Sequence, residues 1–196
     1  MNLENFSSPE FDKQFTENVY KEIWIDGEYD RYGVSVSVGD NVLDLGAHVG
    51  LFSQYAIHKG ANSVHAFESH EEIFSHLSVN TKETKSINVY NKKISYQDFG
   101  FKEILELVKL DNIDFCKVDI EGFEYDLILN TPDEILKKID KWAVEFHLWG
   151  WWNNTADEFK SAFSIIEKFT KNGFSIGCEH IHKNTNLIML YAKRIK

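Results

Sequence analysis

Val42-Leu43-Asp44-Leu45-Gly46-Ala47-His48-Val49-Gly50 runs from four residues of strand character into a glycine turn. Leu51 to Lys59 continues as a helix, with Leu51, Phe52, Tyr55 and Ala56 on one face. Strand, glycine turn and helix make the opening unit of a parallel α/β sheet, whose ligands bind outside the carboxyl ends of the strands. Gly46 lets the backbone come close to a ligand, and Gly50 lets the helix approach the strand. The next apolar run, Ser63 to Phe67, ends on Glu68, 22 residues beyond Gly46. An acidic side chain at that offset can accept both hydroxyls of a ribose, so the two features together describe a nucleoside pocket. A dinucleotide site would carry a glycine where Asp44 stands and would hold a pyrophosphate at the helix N-terminus. A carboxylate there repels a pyrophosphate. It suits a ligand with an ammonium and a sulfonium, which favours S-adenosylmethionine over NAD. The alternative is a tight strand-to-helix turn with no ligand.

Outward from this unit, strand and helix signals alternate. Val34, Val36 and Val38 alternate with serines as a half-exposed strand ending at Gly39-Asp40-Asn41. Ser69 and Glu72 have the spacing of a capping box. Ile87 with Val89, Phe115 to Ile120, and Trp142 to His147 supply further strands. Phe101, Ile104, Leu105 and Val108, then Tyr125 to Leu129, then Phe159 to Phe169, supply helices. Phe174 to Ile181 and Leu187 to Arg194 are joined by five residues, a hairpin by length. The expectation is one α/β domain over residues 1–196, with residues 1–35 as an N-terminal cap. Its sheet is mostly parallel and ends in an antiparallel hairpin.

Composition narrows the function. The chain has 196 residues, with Asp+Glu 31 against Lys+Arg 21, a net charge of −10. Arg31 and Arg194 are its only arginines. Phosphate backbones attract the opposite sign, so a nucleic-acid partner is not expected. Cys116 and Cys178 have no C-x-x-C partner, which excludes a cysteine-built zinc site and reads as two reduced thiols. Met1 to Asp12 lacks the features of a secretory signal, and no apolar run approaches the roughly 20 residues of a membrane span. The expected location is cytoplasmic.

A second cluster is Lys117-Val118-Asp119-Ile120-Glu121-Gly122-Phe123-Glu124. At strand alternation Asp119 and Glu121 face one side at the end of the fourth strand, and Glu145 and His147 do the same at the end of the fifth. Four ionisable groups then converge where such sheets bind ligands. Helix capping by Glu121 and Glu124 is the competing account, and Glu124 is assigned to it. Oxygen donors in this cluster suit Mg²⁺, but the sequence does not require a metal. Trp149, Trp151 and Trp152 follow His147, either as a core plug or as a platform for a sugar ring.

These motifs, with Glu22-Ile23-Trp24, Tyr29-Asp30, Gly60-Ala61, Ala66-Phe67-Glu68 and Glu145-Phe146-His147, resemble those of FkbM-type methyltransferases in a compact version. The resemblance runs from about Glu22 to about Gly150. It implies a Rossmann-like seven-stranded sheet, S-adenosylmethionine as cofactor, and O-methylation of hydroxyls, commonly on sugars, glycolipids or natural products. It makes Tyr29, Asp44, Gly46, Ala47, His48, Gly50, Phe67 and Glu68 the cofactor residues. Asp119 or Glu145 is then the base, with Glu121 nearby and His147 as orienter or alternative base. His48 stands where that family usually has Asn, and Ser69 where it usually has Pro. The stretch from Glu68 to Lys117 is short for the family, which leaves a noncatalytic module binding S-adenosylmethionine or a partner as the alternative.

Overall fold

A computed structural model describes residues 6–147, 155–180 and 187–195. Seven strands form one sheet: β1 (Asn41–Leu45), β2 (Ser63–Glu68), β3 (Ile87–Asn91), β4 (Ile113–Val118), β5 (Ile139–His147), β6 (Phe174–His180) and β7 (Leu187–Arg194). Their order is β3-β2-β1-β4-β5-β7-β6. All pairings among β1 to β5 are parallel. β7 runs antiparallel to both β5 and β6, so it alone is reversed. The order doubles back at β1, whose two neighbours are β2 and β4, and such a reversal opens a crevice at the carboxyl ends of the strands.

The helices are α1 (Lys13–Tyr20), α2 (Leu51–His58), α3 (Glu71–Thr81), α4 (Phe101–Val108), α5 (Glu124–Asn130), α6 (Asp133–Leu136) and α7 (Thr155–Lys171). They pack on both faces because the central strands are buried on both. On one face Leu43, Leu45, Cys116, Val118 and Trp142 meet Phe101, Ile104 and Leu105 of α4, Leu127 and Ile128 of α5, and Phe169 of α7. On the other, Val42, Val64, Ala66 and Phe115 meet Leu51, Phe52, Tyr55 and Ala56 of α2 and Leu77 of α3. Ile23, Tyr29, Val34 and Val36 join this second core, so the N-terminal segment lies over the α2 face.

Two local expectations are corrected. Residues 34–38 form no strand: Val34 and Val36 are buried, but Val38 is 87% exposed. Among the described residues no partner strand lies alongside. The segment is tied instead by the Lys141 ammonium, which donates to the Ser35 carbonyl at 2.9 Å and pairs with Asp40. Ser69 does not cap α3; the N-cap is His70, without a side-chain cap bond. The His70 N–H is already bonded to Glu68 Oε1 at 2.7 Å, and Glu71 and Glu72 supply the first-turn charge that suits the helix dipole. Both cysteines are free, Cys116 buried and Cys178 exposed. Among the described residues no helix is long and apolar enough to cross a membrane.

Candidate active site

A cavity of about 320 Å³ opens at the carboxyl ends of β1, β2 and β4. Its size falls within the range of small-molecule sites. Tyr29, Gly46, Ala47, His48, Phe67, Glu68, Asp119 and Glu121 all border it, with Ile73, Ile94 and Phe123 as apolar walls.

The side of the cavity formed by the ends of β1 and β2, the candidate nucleoside side, is built mainly from backbone. The N–H groups of Gly46 and Ala47 both donate to the Phe67 carbonyl, at 3.0 and 2.9 Å, which ties the turn after β1 to the end of β2. Gly46 has φ +80°, and a Cβ there would lie 1.6 Å from the Asp119 carbonyl oxygen. The glycine is therefore required by the chain leaving β4 as well as by any ligand. Gly50, at φ +95°, does not border the cavity. A Cβ there would meet Leu77 at 2.8 Å, so it serves the close packing of α2 on α3. Glu68 accepts the His48 N–H at 3.0 Å through Oε2 and the His70 N–H at 2.7 Å through Oε1. Each oxygen keeps a further lone pair for a ribose hydroxyl. His48 Nε2 lies 2.6 Å from Asp12 Oδ2 and its ring meets Phe15 edge-on, so the start of α1 is held across this end of the cavity.

Asp44 is wholly buried and does not border the cavity. It accepts the Ser53 hydroxyl at 2.6 Å, and Lys117 Nζ stands 3.3 Å from its other oxygen. Lys117 also donates to the Gly46 carbonyl at 2.7 Å and lies 3.4 Å from Asp119. Burial works against its charge, but Asp119, Asp44 and Glu145 outweigh burial and raise its pKa. A fixed ammonium thus stands between Asp44 and the cavity. The signal for it in the sequence was a lysine inside a strand flanked by acids at Asp44 and Asp119.

The acid side is built from side chains. β4 stops at Val118, and Glu121 sits in a turn at φ +56°, so the turn rather than strand alternation brings Asp119 and Glu121 together. β5 does carry Glu145 and His147 on one side. His147 Nε2 lies 3.5 Å from Glu121 and 3.9 Å from both Asp119 and Glu145. Tyr29, buried edge-on against Phe52, donates to Glu145 at 3.5 Å and spans the two sides. Burial, with Asp119 and Glu28 nearby, lifts Glu145 to about 9. Burial also lifts Glu28 to about 7. For His147, burial opposes the charged form, but the bond to Glu124 and the nearby carboxylates prevail and raise it to about 9. Among the described residues, donor atoms of Asp119, Glu121 and His147 lie within 4.8 Å of one another, near enough to accommodate a divalent ion. Trp149, Trp151 and Trp152 lie outside the described residues.

Glu124 was missed as a site residue. It opens α5, where its charge suits the helix dipole, and its carboxylate also bonds to the loop before it and to His147.

A doubly wound sheet with a carboxylate at the end of β2 beside a glycine turn after β1 defines the Rossmann-like class. Within that class, the methyltransferase FkbM domain model matches residues 28–176, and the chain belongs to this family. A curated relative, the 31-O-demethyl-FK506 methyltransferase FkbM of Streptomyces tacrolimicus, is 42% identical over 64 residues. That match covers 32% of this chain and only 24% of the relative. Among solved structures, fibrillarin of Aeropyrum pernix with natively bound S-adenosyl-L-methionine aligns with a TM-score of 0.62 at 14% identity. The alignment covers 89% of this chain and 76% of that one. Magnesium protoporphyrin IX methyltransferase of Synechocystis with bound SAH aligns at 0.56 and 14% identity, over 96% and 89% of the two chains. An rRNA methylase of Streptococcus thermophilus aligns at 0.57 and 11% identity, over 82% and 90%. At these identities the likeness to solved structures is one of fold.

Proposed function

We propose that this chain is an S-adenosylmethionine-dependent O-methyltransferase acting on a hydroxyl of a sugar, glycan or glycolipid. The observation that carries the reading is one cavity bordered by Glu68 on the nucleoside side and Asp119 on the acid side. Glu68 takes the ribose hydroxyls, and Ile73, Ile94 and Phe123 offer apolar surface to the base. Tyr29, Gly46, Ala47, His48 and Phe67 complete the wall, while Asp44 acts through Lys117 and Gly50 through packing. The cofactor supplies an electrophilic methyl group, which the acceptor oxygen takes as S-adenosylhomocysteine is released.

The acceptor proton needs a base within reach. Asp119 borders the cavity, with Lys117 and His147 behind it, and we assign it that role. Glu145, whose pKa is pushed up by burial and the nearby Asp119 and Glu28, holds its proton more tightly than a free carboxyl and acts as an orienter. The name of the FkbM relative places a methyl group on oxygen, and this supports an oxygen acceptor here. The net charge of −10 argues against a nucleic-acid acceptor, although several fold neighbours are RNA methylases. Incubation with methyl-labelled cofactor and a panel of glycans, glycolipids and simple polyols should label at least one acceptor, and Asp119→Asn should abolish the label. Tight S-adenosylhomocysteine binding with no labelled product would instead identify a noncatalytic module.

A further inference from the structure

We infer that Glu124 is a positioning residue of the acid side, fixing the imidazole of His147 through Nδ1 so that Nε2 faces Asp119 and Glu121. The inference rests on the reading of Asp119 as the group that takes the acceptor proton.

Glu124 opens α5 and has no exposed surface. A first-turn carboxylate that served only the helix dipole could remain in water. A wholly buried one needs partners, because an isolated buried charge is strongly disfavoured. Glu124 Oε1 accepts the Ile120 N–H at 2.9 Å and the Gly122 N–H at 3.0 Å, and Oε2 accepts the Gly122 N–H at 3.0 Å. Oε1 also lies 3.2 Å from His147 Nδ1. A carboxylate only accepts, so Nδ1 is the donor and carries a proton. The ring is thereby oriented, and its opposite nitrogen is directed to Glu121 and Asp119, at 3.5 and 3.9 Å. The two N–H contacts hold the loop on which Asp119 and Glu121 sit. One side chain therefore fixes the acids of the β4–α5 loop and the imidazole of β5 in a single relation. Loop latching alone would account for the N–H bonds but not for the contact with His147.

The test is nuclear magnetic resonance of the full chain labelled with ¹⁵N-histidine, with His147 assigned by its loss in His147→Ala. The wild type should show a proton on Nδ1, shifted downfield and protected from exchange with water. Glu124→Gln preserves an oxygen for the loop N–H groups but removes the charged acceptor. The Nδ1 proton should then move upfield and exchange at least about tenfold faster. With an acceptor from the panel, Glu124→Gln should lower kcat by about tenfold or more, while calorimetry with S-adenosylhomocysteine changes by less than about twofold. In the His147→Ala background the same substitution should add nothing further to the loss in kcat. A wild-type Nδ1 without a proton, or effects on kcat that add in full, would overturn the inference. Should Glu124→Gln fail to fold, the wild-type spectrum decides alone. Should no acceptor be methylated while the Nδ1 proton is present, the O-methylation reading fails and the Glu124–His147 relation stands.

Discussion

The two sides of the cavity are made in opposite ways. On the nucleoside side, Gly46, Ala47 and Glu68 are joined by backbone groups within one β–turn–α–β unit, and a single carboxylate is presented. On the acid side, Lys117, Asp119, Glu121, Glu124, Glu145 and His147 come from β4, the following turn, α5 and β5, and touch one another through side chains. The first construction fixes geometry through the main chain and leaves few positions sensitive to substitution. The second couples its members, so that one change alters the charge on its neighbours.

The largest effect should come where the two sides meet. Gly46→Val would force a branched side chain into the Asp119 carbonyl at a positive φ, so we expect a loss of about 3 kcal/mol or more, or no folded protein. Urea denaturation measures it. A variant of wild-type stability would show that the chain leaving β4 is not held against Gly46.

Next is Glu68→Ala. Hydrogen bonds to a charged group contribute about 1.5–3 kcal/mol, so calorimetry with S-adenosylhomocysteine should show affinity lower by about one to two orders of magnitude. Glu145→Gln should leave that affinity nearly unchanged. An equal loss in both variants would erase the distinction between the two sides.

The acid side should also declare itself in the pH dependence of stability. Glu28 and Glu145 have pKa values raised from 4.5 to about 7 and about 9, and His147 is raised from 6.5 to about 9. Each binds its proton more tightly in the folded chain than in the unfolded one. Stability should therefore fall as pH rises from about 4.5 to about 9. Thermal melts across this window should show the decline, and Glu145→Gln should flatten it. A melting temperature that climbs with pH through the window would contradict the burial of these groups.

The smallest effect belongs to the cap. Asp12→Asn weakens the contact with His48 that holds α1 across the cavity, and about 1 kcal/mol of stability should be lost. Cofactor affinity should fall by only a few fold, and a larger loss would make the cap part of the binding site itself.

How much could be read in advance follows the same division. The turn at Gly46 and the offset of Glu68 were legible because they lie within one β–turn–α–β unit, where spacing alone sets position. Asp119, Glu145 and His147 were legible as strand ends. The roles of Lys117 and Glu124 were not, because each depends on which strand neighbours which and on how deeply the side chain is buried. The serine–valine alternation at 34–38 carried a strand pattern without a partner strand. The Ser69 capping box was not realised because α3 starts one residue later, with an extended His70 in the N-cap position.

On the proposed function, the Gly46–Glu68 side holds S-adenosylmethionine or its demethylated product. Titration calorimetry of the full chain against S-adenosylhomocysteine and against NAD, repeated on Glu68→Ala, tests it most directly. The expected result is saturable binding of S-adenosylhomocysteine that weakens sharply in the variant, and no binding of NAD. Tight NAD binding with no response to S-adenosylhomocysteine would contradict it.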